Sequence, residues 1–335
     1  MSFSYGNNIR IQIFGESHGE AIGVVMDGLP AGFALNLAAL FAFLERRRPG
    51  GALSSARKEA DMPAFLSGLF DGVLTGAPLC AVIKNTDVKS ADYEAIKNTP
   101  RPGHVDFPAF MRFGGDADMR GGGPFSGRLT APLCIAGGVC LQLLATQGVT
   151  VTSEILEIAG KRDPPDMEAA VRAAAAEGDS VGGIVECRAQ GLAPGLGCHM
   201  FDGVENRIAA AIFGVPGVRG IEFGDGFEAA RMKGSQHNDA YILKDGQVVT
   251  ETNHCGGVLG GMTTGSELIF RVALKPTPSI SKTQRTVDLS TMRETEISIS
   301  GRHDPCIVRR AAPAVEAAAA VALLDIYLDG RTTWK

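Results

Sequence analysis

Residues 9–26 read IRIQIFGESHGEAIGVVM. Ile9, Ile11 and Ile13 alternate with Arg10 and Gln12, the two-residue period of a half-buried strand. Ile22–Met26 reads as the next strand, and the glycine-flanked loop GESHGEA joins the two. They look like a short antiparallel pair. Further strand-like pieces lie at 149–157, 182–189, 240–252 and 266–274, with GVRGIEFGDGF as a strand and turn. A few longer helices separate them. Such an order argues for an α+β fold rather than a regular alternation of strand, helix and parallel strand.

Outward from this pair, Asn36 caps a helix whose apolar face is Leu37, Leu40, Phe41 and Leu44. Arg46, Arg47 and Arg48 end it before Pro49 and Gly50. Residues 49–68 read as an irregular loop, and 101–128, dense in Gly, Arg and Asp, as a long ordered one. Helices are expected at about 130–147, 166–177, 203–213 and 313–328. The length suggests about two domains or one large one, and no internal repeat or low-complexity linker is read; residues 1–335 are taken as one domain on the family resemblance given below.

The composition narrows the function. With 32 Lys+Arg against 37 Asp+Glu, the net charge is -5. That is a poor balance for a general binder of nucleic acid, and aromatics for base stacking are scarce. No apolar run of membrane-spanning length is read, nor a secretory signal in MSFSYGNNIR, so neither membrane nor secretion is expected. The seven cysteines are odd in number and lack C-x-x-C spacing. Reduced thiols in a cytoplasmic protein fit that pattern best. Gly reaches 43 residues, nearly twice the usual ~7%. So many glycines imply tight turns, or backbone lying close to a ligand.

The chemistry-bearing side chains collect in glycine loops. His18 sits between glycines in GESHG, either as a turn residue bonded to backbone or as a proton-transfer group. The three consecutive arginines at 46–48 complement a helix end. They point in different directions, so one or two at most face one ligand. Arg101-Pro102-Gly103-His104 pairs a second Arg with a second His. Ser126 and Arg128 close the run Arg120-Gly121-Gly122-Gly123-Pro124-Phe125, which opens a helix and suits either an anion or a structural turn. Lys275-Pro276-Thr277-Pro278-Ser279 offers a cation and two hydroxyls. His303 beside Asp304 reads as a surface pair or as acid–base machinery. Cys255 beside His254 is a weak nucleophile candidate, since adjacent residues rarely face each other. No metal site is read, because no H-x-x-x-H spacing or completing carboxylate is present. Together the loops suggest a polyanionic organic ligand handled by proton transfer.

In order, the segments GESHG, DGLP, RRRPG, RPGH, GSQHND, NHCGGVLGG, KPT and GRHDPC resemble those of the chorismate synthase family over nearly the whole chain. That resemblance implies a central helical layer between two antiparallel sheets, usually in a homotetramer. It implies conversion of 5-enolpyruvylshikimate 3-phosphate to chorismate and phosphate. The reaction is a 1,4-anti elimination that needs reduced FMN without net oxidation. By the same resemblance, His18 protonates the departing phosphate, His104 protonates reduced flavin near N1, and Asp304 works with flavin N5 in removing the C6 proton. Ser17, Arg47, Arg101 and Arg128 fall at substrate positions. Ser126, Gly260, Lys275, Pro276, Thr277, Pro278, Ser279 and Arg302 fall at flavin positions.

This chain departs from the family in places. Pro124-Phe125-Ser126-Gly127-Arg128-Leu129-Thr130 stands where R-S-S-A-R-E-T is common. Leu53 and Ser54 occupy the stretch where a further Arg is usual, with Arg57 the nearest, and Pro278 replaces a Ser. These changes bear on nucleotide binding more than on the elimination. NADPH is therefore the least supported of the implied cofactors, and a separate flavin reductase is expected. Two rival readings are a flavin oxidoreductase and a binding protein for a phosphorylated metabolite or RNA. The first lacks a dinucleotide fingerprint. The second has no need of the set His18, His104 and Asp304.

Overall fold

A computed structural model describes residues 3–48, 61–86, 98–299 and 304–329. Two antiparallel sheets enclose a helical layer. The first sheet runs in the order Ser4–Tyr5, Arg10–Gly15, Ala21–Asp27, Leu79–Lys84, Ala64–Ser67. The opening hairpin pairs as its periodicity indicates, with Ile11 opposite Met26 and Ile13 opposite Val24. The second sheet runs Val218–Phe223, Leu268–Leu274, Gly183–Gln190, Thr150–Ile158.

Between the sheets lie the helices Thr130–Thr146 and Val308–Tyr327. The first packs on the strands Ala21–Asp27 and Leu79–Lys84, the second on Thr150–Ile158 and Gly183–Gln190. The two helices also pack on each other. A Cβ placed on Gly137 would lie 2.2 Å from Cβ of Ala317. Glycine facing alanine is what lets the two backbones approach so closely. Thr130–Cys140 is buried on every side, as expected of a helix that is apolar all round. The layering matches the α+β expectation.

Several sequence expectations need correction. By length and composition the segment Gly127–Thr146 is apolar enough to cross a membrane, contrary to the reading of no such run, but most of it is buried in the core. The 101–128 stretch is not all loop, since Asp106–Phe113 is helical and ends on a left-handed Gly114. Ala64–Ser67, inside the expected 49–68 loop, is a sheet strand. The last helix begins at Val308, five residues early, and carries Pro313 within it. The strand Leu79–Lys84 and the hairpin Gln284–Asp288/Arg293–Ile297 were not foreseen. Asn36 does cap its helix, accepting from the Ala39 amide at 3.0 Å.

Candidate active site

At one end of the helical layer a cavity of about 380 Å³ opens. That is within the ~300–1,000 Å³ usual for small-molecule sites. Five segments distant in sequence build its walls: the end of the 37–45 helix, the 101–130 turns, the 215–217 turn, the 275–279 loop and the chain from Asp304 into the start of the last helix.

Arg47 enters from the helix end and is almost wholly out of solvent. Its guanidinium donates to Asp61 Oδ2 at 2.6 Å, to Thr130 Oγ1 at 2.8 Å and to the Gly127 carbonyl at 3.2 Å. Burial, with Arg310 and Arg128 close by, lowers its pKa to about 10 against the opposing pull of Asp61. It stays charged at neutral pH. The other oxygen of Asp61 is ion-paired with Arg128. One buried carboxylate thus braces two buried arginines.

The neighbouring arginines go elsewhere. Arg46 pairs with the buried Glu316, and Arg48 pairs with Glu45. Of the three, Arg47 alone lines the cavity.

Arg128 Nε donates to Asn85 Oδ1 at 3.1 Å. The Asn85 amide nitrogen reaches back to the carbonyls of Glu16 and Gly19 at 3.2 and 2.9 Å. This ties the GESHG loop to the cavity wall. The Ser17 amide adds a bond to the Gly123 carbonyl at 3.2 Å.

Gly121, Gly122 and Gly123 all have positive φ, at 62°, 92° and 53°. A Cβ on Gly121 would sit 2.5 Å from the His18 ring and 2.8 Å from Ser17 Oγ. A Cβ on Gly122 would sit 3.6 Å from His104 Nε2. The glycine turn is therefore the thin partition on which both histidines rest. His104 lines the cavity, whereas His18 and Ser17 lie against the turn and outside the lining.

Arg101 fans out from the wall. Its guanidinium grips Asp106 through Nε at 2.7 Å and Nη2 at 2.8 Å, and reaches Ser279 Oγ at 3.2 Å. From the 275–279 loop, Lys275 donates to the Gly103 carbonyl. Burial, with Arg219 nearby, draws its ammonium pKa down. Thr277 Oγ1 donates to the Asp304 carbonyl at 3.0 Å. Arg310, in the first turn of the last helix, donates to Asp304 Oδ2 at 2.8 Å and to the Arg47 carbonyl at 3.2 Å.

Most of the expected site residues therefore meet here: Arg47, Arg101, His104, Ser126, Arg128, Lys275, Pro276, Thr277, Pro278, Ser279 and Asp304 all line one cavity. Gly260 does not line it, and sits in the turn between the short strands Val258–Leu259 and Met262–Thr263. Arg302, with His303, Leu53, Ser54 and Arg57, lies outside the described residues.

Four residues were missed. Asp61, Asn85, Asp106 and Arg310 belong to the site as partners of its cations and of His104 and Asp304. Only Asp106 carried a signal, two residues after His104 where its reach to the ring is short. The Cys255 reading fails on geometry: His254 Nδ1 is engaged by Asp225 at 2.7 Å. Burial and Asp239 push the Cys255 thiol up to about 11.

Comparison with known proteins points the same way. A sequence model of the family described as chorismate synthase matches residues 9–328. A chorismate synthase of Chitinophaga pinensis is 48% identical over 325 residues, covering 97% of this chain and 96% of that protein. One of Thermococcus kodakarensis is 46% identical over 351 residues, with 98% of each covered. One of Korarchaeum cryptofilum is 45% identical, with 96% of each covered. A solved chorismate synthase structure superposes with a TM-score of 0.75 at 25% identity, over 97% of this chain and 93% of the other.

Proposed function

Since this chain belongs to the chorismate synthase family, we propose that the cavity described above is where it turns 5-enolpyruvylshikimate 3-phosphate into chorismate and phosphate. The family's activity is an FMN-dependent elimination, and the enzyme is a lyase of that type. One observation carries the placement. Arg47, Arg101, Arg128, Lys275 and Arg310 converge on a single cavity that also holds His104 and Asp304.

The substrate bears a phosphate and two carboxylates, and guanidinium groups bind such anions in bidentate fashion. Arg47 and Arg128 are held rigid by Asp61, so little side-chain freedom is lost when an anion docks. The same donor set suits a flavin mononucleotide. Ser126, Thr277, Ser279 and Lys275 provide hydroxyls and a cation for a phosphate, while Val105, Phe125 and Ile307 give apolar wall for a flat ring. When bound and reduced, that cofactor supplies electron density as phosphate departs and recovers it, leaving no net oxidation.

The chain's own groups handle the protons. His104 presents Nε2 toward the Gly122 side of the cavity. His18, behind Gly121, stands as general acid for the departing phosphate. The Asp304 carboxylate, oriented by Arg310, stands as acceptor for the C6 proton. General acid–base groups of this kind contribute about 10²–10⁴-fold each.

The remaining features belong to the same reading. One continuous buried core joins both sheets and the helices between them, which supports residues 1–335 as one domain. A homotetramer follows from likeness to the family, a cytoplasmic place from the pattern of unpaired thiols, and a separate flavin reductase from the departures at 53–54 and 124–125. NADPH has the weakest support.

The test is direct. Substrate is mixed with dithionite-reduced FMN and the protein under anaerobic conditions, and phosphate release is followed. Release should require all three, and His18→Ala and His104→Ala should each slow it by about 10²–10⁴-fold. No release by the wild type, or near-normal rates in both variants, would sink the assignment.

A further inference from the structure

The segment 101–106 contains an arrangement that the reaction as described does not use. Asp106 is the first residue of the helix Asp106–Phe113. Its Oδ2 accepts from Arg101 Nε and from the Arg101 amide, at 2.7 and 3.0 Å. Its Oδ1 accepts from Arg101 Nη2 at 2.8 Å and lies 2.6 Å from Nδ1 of His104. Arg101 Nη2 is itself 3.0 Å from the same Nδ1.

These contacts decide where the imidazole proton sits. Burial works against charge on Asp106, but hydrogen bonds from Arg101 and His104, and their positive charge, hold its carboxyl well below the usual range. A carboxylate has no proton to donate, so a 2.6 Å contact with Nδ1 requires Nδ1–H. Nη2 of Arg101 then donates to Oδ1 rather than to the ring. With Nδ1–H engaged, Nε2 is the ring atom left for exchange, and it faces Gly122 on the cavity wall.

We infer that Asp106 is a positioning residue, which holds His104 in its Nδ1–H form so that every proton His104 exchanges passes through Nε2 at the cavity. The same carboxylate sets the Arg101 fork that reaches Ser279, so one residue orients a proton carrier and an anion grip together. A purely structural role is the competing account. An acidic residue in the first turn favours a helix by itself, but that role places no demand on the imidazole tautomer.

The two accounts separate by nitrogen NMR on flavin-free protein with ¹⁵N-labelled histidine. The His104 signal is assigned by its loss in His104→Ala. In the neutral ring the wild type should show a protonated Nδ1 and a bare Nε2. Asp106→Asn should show mixed or reversed tautomers, because an amide can present either a donor or an acceptor. A kinetic arm rests on the family reading of His104. With reduced FMN supplied chemically, Asp106→Asn should lower kcat at least about tenfold, within the roughly 10²–10⁴-fold ceiling of His104→Ala. The double variant should be no slower than His104→Ala alone, since the two losses share one path.

A wild-type proton on Nε2, an unchanged tautomer in Asp106→Asn, or losses that multiply in full would each overturn the inference. The wild-type spectrum decides even if Asp106→Asn fails to fold. Normal turnover by His104→Ala, with the expected tautomer present, would refute the role given to His104 in the reaction and leave the positioning supported.

Discussion

Nη1 of Arg47 and Oδ2 of Asp61 meet at 2.6 Å, with both side chains almost entirely removed from water. The second Asp61 oxygen is ion-paired with Arg128. Removing one partner of a buried pair costs about 3–5 kcal/mol, because the other charge is left uncompensated. Asp61→Ala strands two guanidinium groups and should lose at least that much in urea unfolding. Added inorganic phosphate should restore part of it by occupying the exposed cations. A loss below about 1 kcal/mol would show that water reaches these arginines freely.

Gly121 offers a steric test of the histidine placement. Its φ of 62° and the 2.5 Å approach to His18 leave no room for a methyl group. Gly121→Ala should displace His18 and slow phosphate release about as much as His18→Ala does. Gly127→Ala is the control for the fold. Among the described residues, and apart from its own chain neighbours, no atom lies within 4 Å of the place its methyl group would take, so its unfolding midpoint should match that of the wild type. Normal turnover by Gly121→Ala would detach His18 from the chemistry.

Asp239 carries an acid-side contribution to stability. Partial burial pushes its carboxyl up, but hydrogen bonds from Cys255, Thr252 and the His254 amide outweigh this and bring it to about 2. Its folded pKa lies below the ordinary value of 3.8. Its stabilising effect is therefore complete above about pH 4 and is lost as pH falls toward 2. Denaturant midpoints should decline over that interval, and Asp239→Asn should decline less steeply. Parallel curves for the two proteins would contradict the bonding described here.

The thiols should react in an order set by exposure and charge. Cys198 is exposed, whereas Cys134, Cys140, Cys187 and Cys306 are buried. Burial, aided by Asp239, pushes Cys255 up to about 11, so little thiolate is present at neutral pH. A disulfide reagent at about pH 7.5 should modify Cys198 before Cys255, with turnover retained. The four buried thiols should appear only on unfolding. Early modification of Cys255 with loss of activity would revive it as a nucleophile.

The 124–125 departure bears on the flavin. Phe125 lines the cavity, and its ring centroid lies 6.3 Å from that of Phe113. A charged hydrogen bond lost where the family carries Arg and Ser costs about 1.5–3 kcal/mol, or roughly ten- to a hundredfold in affinity. Reduced FMN should therefore bind more weakly than to a relative with the full motif, and Phe125→Ala should weaken it further. NADPH with oxidised FMN should give little product without an added reductase. Efficient NADPH-driven turnover by the purified chain would reveal a nucleotide site of its own.

Ile9, Ile11 and Ile13 were legible as a strand because alternation is a local property of a half-buried chain. Asn36 was legible as a cap for the same kind of reason. The glycine loops, with the residue types and order of His18, Arg47, His104 and Asp304, were enough to reach the family and its reaction. The sequence could not reveal which side chains share a cavity, because that depends on contacts across long separations. Asp61 lies 67 residues from Arg128, and Arg310 lies 263 from Arg47. A carboxylate or an arginine in isolation reads as an ordinary surface charge. Its meaning appears only when folding removes it from water and leaves one particular partner to satisfy it. The helical layer was decided in the same way: Gly137 in one helix and Ala317 in another carry no signal until their backbones meet.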